Sequence, residues 1–98
     1  MGQKLKFEWS KEKNNINIKK HHISFEEAKE IFYDPMHIAK LDCRFNYCEE
    51  RWITIGATTK DKIVVVANMF FDEEGEEVIR IISARKATQK ERNFYEQH

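Results

Sequence analysis

Three runs of β-branched residues in the second half of the chain constrain its fold more than any other feature. They fall within Arg51–Ala57, Lys62–Phe71 and Val78–Ser83 and are rich in isoleucine and valine, residues that favour strands. The links at Thr58–Asp61 and Asp72–Glu77 are short enough for hairpins. The sequence therefore predicts an antiparallel meander of three strands over these ranges.

The first half of the chain predicts one strand and two helices. Apolar residues alternate with charged ones over Leu5–Trp9, a period of two that is typical of a half-buried strand. Ser10 can cap a first helix that runs to about Lys20. The capping box Ser24–Glu27 predicts a second helix, which ends at Asp34-Pro35 because proline cannot continue it.

A short strand over Met36–Leu41, a loop over Asp42–Glu50 and a last helix from the capping box Thr88–Glu91 complete the prediction. Elements in this order are typical of a small α+β domain with helices packed on a mostly antiparallel sheet. A chain of 98 residues suffices for one hydrophobic core and is too short for two. Residues 1–98 are therefore predicted to form a single domain.

Charge and hydropathy indicate the compartment and the partners. The 17 basic residues balance 17 acidic ones, which argues against binding of polyanions by the whole surface. Five cations nevertheless lie between Ile79 and Arg92, with Glu91 as the one acid there, so a local basic face is expected. No apolar run approaches the roughly 20 residues needed to cross a bilayer, and no signal peptide is evident. We therefore expect a cytoplasmic protein without membrane contact.

The sequence offers no support for a metal or a cofactor. Four residues separate Cys43 from Cys48, which is not the Cys-x-x-Cys spacing of redox and zinc sites, and a reducing cytosol disfavours a disulfide between them. Gly-rich phosphate loops, His-Glu-x-x-His and Gly-x-Ser-x-Gly are absent from the sequence. Nucleotide hydrolysis, zinc proteolysis and serine esterase chemistry thus lose their usual motifs.

The remaining side chains suit the cleavage of RNA without a metal. In that reaction a base takes the proton of the 2′-hydroxyl, a cation stabilises the negative charge on phosphorus, and an acid protonates the leaving 5′-oxygen. Cations, imidazoles and carboxylates, all present here, supply these three groups. Composition alone does not single out this reaction.

Short segments over nearly the whole chain resemble the BrnT toxin family. The most specific is Ile79–Thr88, in which ten consecutive residues match. The others occur in family order: Lys6–Trp9, Asn17–His21, Ser24–Ala28, Phe32–Pro35, Glu49–Gly56, and Glu91-Arg92 with Tyr95. The resemblance implies a bacterial ribonuclease toxin of a type II toxin–antitoxin pair that inhibits translation and has a RelE-like fold. It also implies a BrnA-like ribbon-helix-helix antitoxin as partner, through which the toxin would meet DNA.

Several positions depart from the family pattern. After the valine run the family commonly has His and, three residues later, Arg, whereas this chain has Asn68 and Phe71. Asn68 cannot act as an acid or a base, and Phe71 offers no charge to a phosphate. If the two family residues take part in cleavage, the activity of this chain is reduced or lost. His22 replaces the glycine of a Lys-His-Gly motif, and Cys48 stands where a glycine often precedes Glu49-Glu50.

The candidate site residues are His21, Glu50, Arg80, Arg85 and Lys86. The last three are predicted to bind phosphate, His21 to transfer a proton, and Glu50 to act as a base or to orient a cation. Plainer roles stay open: helix capping for the imidazole, ion pairing for the arginines and a surface carboxylate for Glu50. A regular strand would place Arg80 and Arg85 on opposite faces of the sheet, with Lys86 as the alternative companion of Arg80.

Three functions are compatible with these residues. The leading hypothesis is a metal-independent endoribonuclease toxin, and the second is a weakened homologue that acts mainly by binding its antitoxin, as the residues Asn68 and Phe71 suggest. The third, a nucleic-acid-binding module without catalysis, is less favoured because acids balance the basic groups. Tyr95 could stack on a base, but packing of the last helix is favoured, and Trp9 and Trp52 are interpreted as core.

Overall fold

The computed structural model describes residues 5–42 and 50–97 and shows a five-stranded sheet with helices. The mixed α+β fold is thus confirmed. The strands are β1 (Lys6–Glu8), β2 (Ile38–Leu41), β3 (Trp52–Ala57), β4 (Ile63–Glu73) and β5 (Glu76–Lys86), in the spatial order β1-β5-β4-β3-β2. The helices are α1 (Lys11–His21), α2 (Phe25–Ala28) and α3 (Gln89–Glu96), with a 3₁₀ helix over Lys29–Tyr33. β1 pairs parallel to β5, and all other pairs are antiparallel.

The hairpin between β4 and β5 is tighter than the sequence predicts. Glu74 and Gly75 both have positive φ, 51° and 83°, which is the geometry of a two-residue turn that follows the natural twist of the strands. Asp72 therefore pairs with Glu77 inside the ladder. The predicted loop over residues 72–77 is wrong because two residues suffice for the turn, and both strands run further than expected.

β5 contains one extra residue in the middle of this hairpin. Ala67 pairs with Ser83, whereas the next residue of β4, Asn68, pairs with Ile81, so Ile82 has no partner in β4. Such a β-bulge reverses the alternation of side chains on one strand. The odd–even alternation of β5 therefore changes at Ile82. A residue before Ile82 and one after it share a face when they are an odd number of positions apart.

The bulge corrects the predicted placement of the cations. Arg80 pairs with Met69 and Arg85 with Val65, and positions 65 and 69 of β4 lie on the same face. The prediction that the two arginines lie on opposite faces is therefore wrong. Lys86 pairs with Val64 and lies on the other face, so its predicted companionship with Arg80 is wrong too.

The two faces of the sheet differ in what covers them. We call the face that carries Arg80 and Arg85 the open face and the other the covered face. The covered face forms the hydrophobic core with α2, the 3₁₀ helix and Ile23, which lies two residues before α2. The core residues are Ile23, Phe25, Ala28, Ile31, Phe32, Val64, Val66, Ile79, Ile81 and Ala84. α3 lies over one end of the open face, where Phe94 and Glu91 line a groove together with Val65.

The helix α1 is attached through asparagines. Asn17 is 5% exposed. Its side chain donates to the carbonyl of Ile23 at 2.9 Å and accepts from the N–H of Ala84 at 3.0 Å. Asn14 accepts from the N–H of Phe25 at 2.8 Å. α1 therefore lies along β5 beyond the end of β1, with polar side chains inward. Within the described ranges, no helix is long and apolar enough to cross a membrane.

The second predicted helix is interrupted. Ser24 caps α2 by accepting from the N–H of Glu27 at 3.0 Å, as predicted. The carboxylate of Glu27 contacts Lys62 at 3.2 Å, and the helix tightens to 3₁₀ geometry from Lys29. The chain leaves this helix at Asp34, in extended conformation, as expected before a proline.

Candidate functional site

A row of side chains crosses the open face from β1 to β3. Arg80 on β5 lies between Glu8 on β1 and Met69 on β4, which are its two partners in the sheet. Arg51 directly precedes Trp52, and Trp52 pairs with Asn68, so Arg51 lies opposite Met69. Three separate parts of the chain thereby bring two arginines and one carboxylate to the same face.

A concavity of about 250 Å³ lies over this row. Arg51, Arg80 and Lys13 are the charged residues that line it, and Lys13 comes from the first turn of α1. No carboxylate lines this concavity among the described residues. Guanidinium groups match the oxygens of a phosphate in geometry and charge, so the concavity suits a phosphate group.

The carboxylate of Glu8 lies at the edge of this concavity. Its Oε2 is 3.5 Å from Nε of Arg80, and both side chains are about half exposed. An exposed ion pair of this length contributes little to stability. Because this contact uses Nε, the terminal nitrogens of Arg80 lie outside it. Glu8 is exposed enough to reach a ligand that Arg80 holds.

Arg85 shares the face with Arg80 but is paired with Glu91. Its Nη1 and Nη2 donate to the two carboxylate oxygens of Glu91 at 2.7 and 2.9 Å. This fork, together with the N–H of Thr88, holds the pKa of Glu91 at about 2 against its partial burial. Of the two roles left open for Arg85, the structure shows the ion pair.

Lys86 lies in a different concavity, of about 210 Å³, at the end of β5. Asp61, Lys62 and Arg92 line it with Lys86. Arg80 lies six residues away on the other face of the sheet. The structure thus does not bring Lys86 into the row of Arg80.

His21 lies apart from the row, and Glu50 is next to Arg51 in the sequence without lining its concavity. His21 is the last residue of α1, eight residues after Lys13, and a helix advances about 12 Å over that length. The capping role that stayed open for His21 belongs to His22, whose left-handed backbone and N–H to the carbonyl of Ile18 end the helix. Glu50 is exposed and precedes Arg51, but it lines none of the concavities described above.

Tyr95 holds α3 to the opposite end of the sheet. Its hydroxyl donates to Oδ2 of Asp34, which also accepts from the N–H of Ala57 at 2.9 Å. Partial burial and Asp34 raise the pKa of Tyr95 to about 12, and these hydrogen bonds lower the pKa of Asp34 against its own desolvation. The packing role for Tyr95 is what the structure shows.

The two departures from the family pattern fall on opposite faces. Asn68 is fully buried on the covered face, where its Oδ1 accepts from the hydroxyl of Thr54 at 2.9 Å. Phe71 lies on the open face, two residues along β4 from Met69, and is partly exposed. Trp9 and Trp52, interpreted as core, pack edge-on against Phe25 and Phe70, respectively. Cys43, Cys48 and Glu49 lie outside the described residues.

Sequence reasoning missed three residues of the row and its rim: Glu8, Lys13 and Arg51. Glu8 and Arg51 stand in two of the segments that carry the family resemblance, Lys6–Trp9 and Glu49–Gly56, so the resemblance contained a usable signal. Lys13 had none. Within the described ranges, no group of three or more His, Cys, Asp or Glu side chains could hold a metal ion.

The fold places the chain in the class of small ribonuclease toxins. It resembles the crystal structure of the Brucella abortus ribonuclease toxin BrnT, with a TM-score of 0.58 and 25% sequence identity over 88% of this chain and 100% of that chain. The family model described as the ribonuclease toxin BrnT of type II toxin–antitoxin systems matches residues 9–91. The chain therefore belongs to the BrnT family. No curated protein matches it.

Proposed function

We propose that this BrnT family toxin is an endoribonuclease whose reaction takes place at the concavity of Arg51, Arg80 and Lys13. The observation that supports this most directly is the convergence of these three cations beside the carboxylate of Glu8. Cleavage through the 2′-hydroxyl needs a base next to the phosphate, and a carboxylate can serve as that base. Arg80 is the one residue of the predicted set that belongs to this arrangement.

Each residue of the proposed site has one task. Arg80 and Arg51 hold the scissile phosphate and stabilise the charge that develops on its oxygens. Glu8 takes the proton of the 2′-hydroxyl, whose oxygen then attacks phosphorus and forms a 2′,3′-cyclic phosphate. Lys13 donates a proton to the leaving 5′-oxygen as its bond to phosphorus breaks. After product release Glu8 gives its proton to water and Lys13 takes one from water, which restores both groups. No step of this proposed reaction uses a metal.

His21, Glu50, Arg85 and Lys86 have no step in this reaction. His21 and Lys86 are separated from Arg80 along α1 and β5, respectively, and Arg85 is engaged by Glu91. Glu50 is exposed and does not line the concavity of Arg51. Their proposed roles lie in folding and in the general surface charge.

The proposed biology follows from the family. A ribonuclease toxin of a type II system has a protein antitoxin and an RNA substrate. We propose that the partner is a BrnA-like ribbon-helix-helix antitoxin, which masks the toxin and alone contacts DNA. The proposed cleavage of RNA takes place in the cytoplasm and inhibits translation. We also propose that the fold is related to that of the RelE-like toxins.

The test is cleavage of a defined single-stranded RNA by the purified chain, with and without a chelator. Glu8→Gln keeps the shape of the side chain but removes the base, and we expect a loss of about 100-fold in kcat with little change in KM. Arg51→Ala is expected to raise KM as well. Glu12→Gln, an exposed acid in the first turn of α1, is the matched control. Cleavage that needs a divalent cation, or that persists in Glu8→Gln, contradicts the proposed reaction.

A second function is favoured by one observation, the burial of Asn68 at the position where the family commonly has His. In this alternative the chain keeps its antitoxin-binding surface and cleaves RNA weakly. Intact RNA after long incubation, together with tight binding of the antitoxin encoded beside it, would support this alternative.

A further inference from the structure

We propose that the groove under α3 and the cationic concavity together form one docking trough for the antitoxin, which seats an apolar side chain in the groove and a carboxylate on Arg80 and Arg51. A toxin of a type II system has a protein antitoxin as its partner. The inference rests on the proposed function, because it says how that partner closes the site at which RNA is held. No step of the proposed reaction uses the groove.

The groove under α3 is apolar and accessible. It has a volume of about 140 Å³. Its apolar lining comes from three strands and from α3: Ile38, Ile53, Ile55, Val65 and Phe94. Phe94 is 42% exposed, so a partner can reach the aromatic ring that forms one wall. Large side chains buried at the centre of an interface carry most of its binding energy, and the groove thus suits an apolar anchor residue of a protein.

The charges at the rim of the groove favour an acidic segment. Glu91 is held by both terminal nitrogens of Arg85, so its charge is offset. Among the described residues, Lys40 is the other charged side chain that lines the groove, and it is exposed. The balance at the rim is therefore positive, as it is in the cationic concavity. A segment that lies along both depressions is complementary in charge if it carries carboxylates.

The groove and the concavity adjoin on the open face. On β3 the groove residue Ile53 is two positions from Arg51, which lines the concavity. The N–H of Asp42 donates to the carbonyl of Arg51 at 2.7 Å, so the sheet continues to Arg51 and the two side chains share a face. Such positions are about 7 Å apart. The two depressions are therefore neighbours on one surface.

Small side chains form the floor between the groove and the concavity. Ala67 of β4 pairs with Ile53 on one side and with Ser83 on the other. Ser83 is exposed and Ala67 is partly exposed. Along β4, Ala67 lies between Val65 in the groove and Met69 in the concavity, which are about 13 Å apart in a strand. An extended segment that follows this floor places side chains four positions apart in the two depressions.

Occupation of both depressions inhibits the toxin without a change of fold. A carboxylate accepts two parallel hydrogen bonds from a guanidinium, as a phosphate does. On Arg80 and Arg51 it takes the place proposed for the scissile phosphate, while the apolar anchor in the groove holds it there. The antitoxin segment therefore carries a large apolar residue and an acidic residue four positions apart, and it competes with RNA.

The apolar end is tested by calorimetric titration with the purified antitoxin encoded beside this chain. Phe94→Ala is expected to weaken binding by about 30-fold, the loss at an aromatic residue central to an interface, and to leave binding of an uncleavable 2′-O-methyl RNA unchanged. Lys40→Glu is expected to weaken antitoxin binding by about tenfold. The matched controls are Ile18→Ala on α1, where the side chain is 40% exposed, and Lys60→Glu in the exposed turn before β4.

The acidic end is tested on β5 and by competition. Arg80→Ala is expected to weaken antitoxin binding by about tenfold, whereas Lys86→Ala, on the same strand but the other face, is expected to leave it unchanged. The apparent Kd of the antitoxin is expected to rise with the concentration of the uncleavable RNA. Unchanged antitoxin binding by Arg80→Ala, or simultaneous binding of antitoxin and RNA, overturns the carboxylate contact.

The outcomes separate this inference from the proposed function. If the native chain cleaves no RNA while Phe94→Ala loses antitoxin binding, the endoribonuclease is contradicted and the groove is supported. If the native chain cleaves RNA while Phe94→Ala binds the antitoxin as tightly as before, the groove is overturned and the function stands. Weaker RNA binding by Phe94→Ala assigns the groove to RNA, and a native dimer that Phe94→Ala separates assigns it to a second copy of the chain. Either result overturns the inference.

Discussion

The guanidinium of Arg85 and the carboxylate of Glu91 form a two-pronged ion pair that joins the end of β5 to the first turn of α3. The two hydrogen bonds measure 2.7 and 2.9 Å. Glu91 also accepts from the N–H of Thr88 at 2.8 Å and so completes the capping box that starts the helix. One carboxylate therefore fixes both where α3 begins and where it lies.

Glu91→Gln is expected to lower the free energy of unfolding by about 1 kcal/mol at pH 7, since both partners of the pair are partly exposed and screened by water. The pKa of Glu91 falls from its ordinary value of 4.5 to about 2 in the folded chain. Its stabilisation is therefore present above pH 4.5 and is lost as the pH falls through 2. Urea unfolding at a series of pH values between these limits should show that the native and variant chains become equal in free energy of unfolding as the pH falls. A gap that stays constant with pH would contradict this account.

Arg80 and Arg85 offer a matched comparison, because they share one strand and one face. Arg80→Ala is expected to lower kcat/KM for RNA by about 100-fold, the usual loss when a group that stabilises transition-state charge is removed. Arg85→Ala removes the same charge and is expected to lower stability with a far smaller effect on cleavage. Thermal unfolding and cleavage rates of both variants check this at a temperature where each is folded. Equal losses of activity would mean that only the overall charge matters.

The elements of the fold could be predicted because their causes are local. Ser10, Ser24 and Thr88 each cap the helix that follows them through the side-chain oxygen, and alternation along β1 is visible in the sequence. The tight turn at Glu74-Gly75 was the exception. Glutamate is rarely found in left-handed geometry, so composition favoured a longer loop.

The candidate site could be predicted only in part, because it depends on contacts between distant residues. The bulge at Ile82 decides which cations share a face, and it lies where the side chain of Asn17 accepts from the N–H of Ala84. Nothing in the strand itself marks that contact. Glu8 likewise meets Arg80 through a parallel pairing of the two ends of the chain, which periodicity alone does not reveal.

Tyr95→Phe is expected to destabilise the chain by about 1 kcal/mol, the usual net contribution of a hydrogen bond, because the contact is partly exposed to water. The pKa of Tyr95 rises from 10.0 to about 12 in the folded chain, so its stabilisation is present below pH 10 and is lost as the pH rises through 12. Absorbance titration should show one of the three tyrosines ionising late, and this late step should vanish in the variant. An unchanged titration curve would rule out the tie to Asp34.

Gly56→Ala is expected to destabilise the chain by about 1–3 kcal/mol through overpacking. A Cβ on Gly56 would lie 2.9 Å from Cβ of Ile31 and 3.0 Å from the carbonyl oxygen of the same residue. Backbone cannot yield as a flexible side chain can. Chemical denaturation measures the loss, and Gly75→Ala in the exposed turn is a contrasting case in which backbone strain, not space, sets the cost. If Gly56→Ala left the free energy of unfolding unchanged, β3 and the 3₁₀ helix would have to pack loosely.

Asn68→His tests whether the missing family histidine limits cleavage. Asn68 is fully buried on the covered face and bonded to Thr54, so an imidazole there would not reach the row of Arg80. We expect no gain in cleavage and a loss of about 1–3 kcal/mol in stability from overpacking. RNA cleavage and urea unfolding are measured on the same preparation.

Phe71→Arg is the counterpart of Asn68→His on the open face. The new guanidinium would lie beside Arg80 and is expected to tighten binding of an abasic RNA strand and to steepen the salt dependence by about one counterion. Faster cleavage by Asn68→His without any change in Phe71→Arg would place the reaction on the covered face and overturn the proposed site. The opposite pattern would locate phosphate binding beside Arg80.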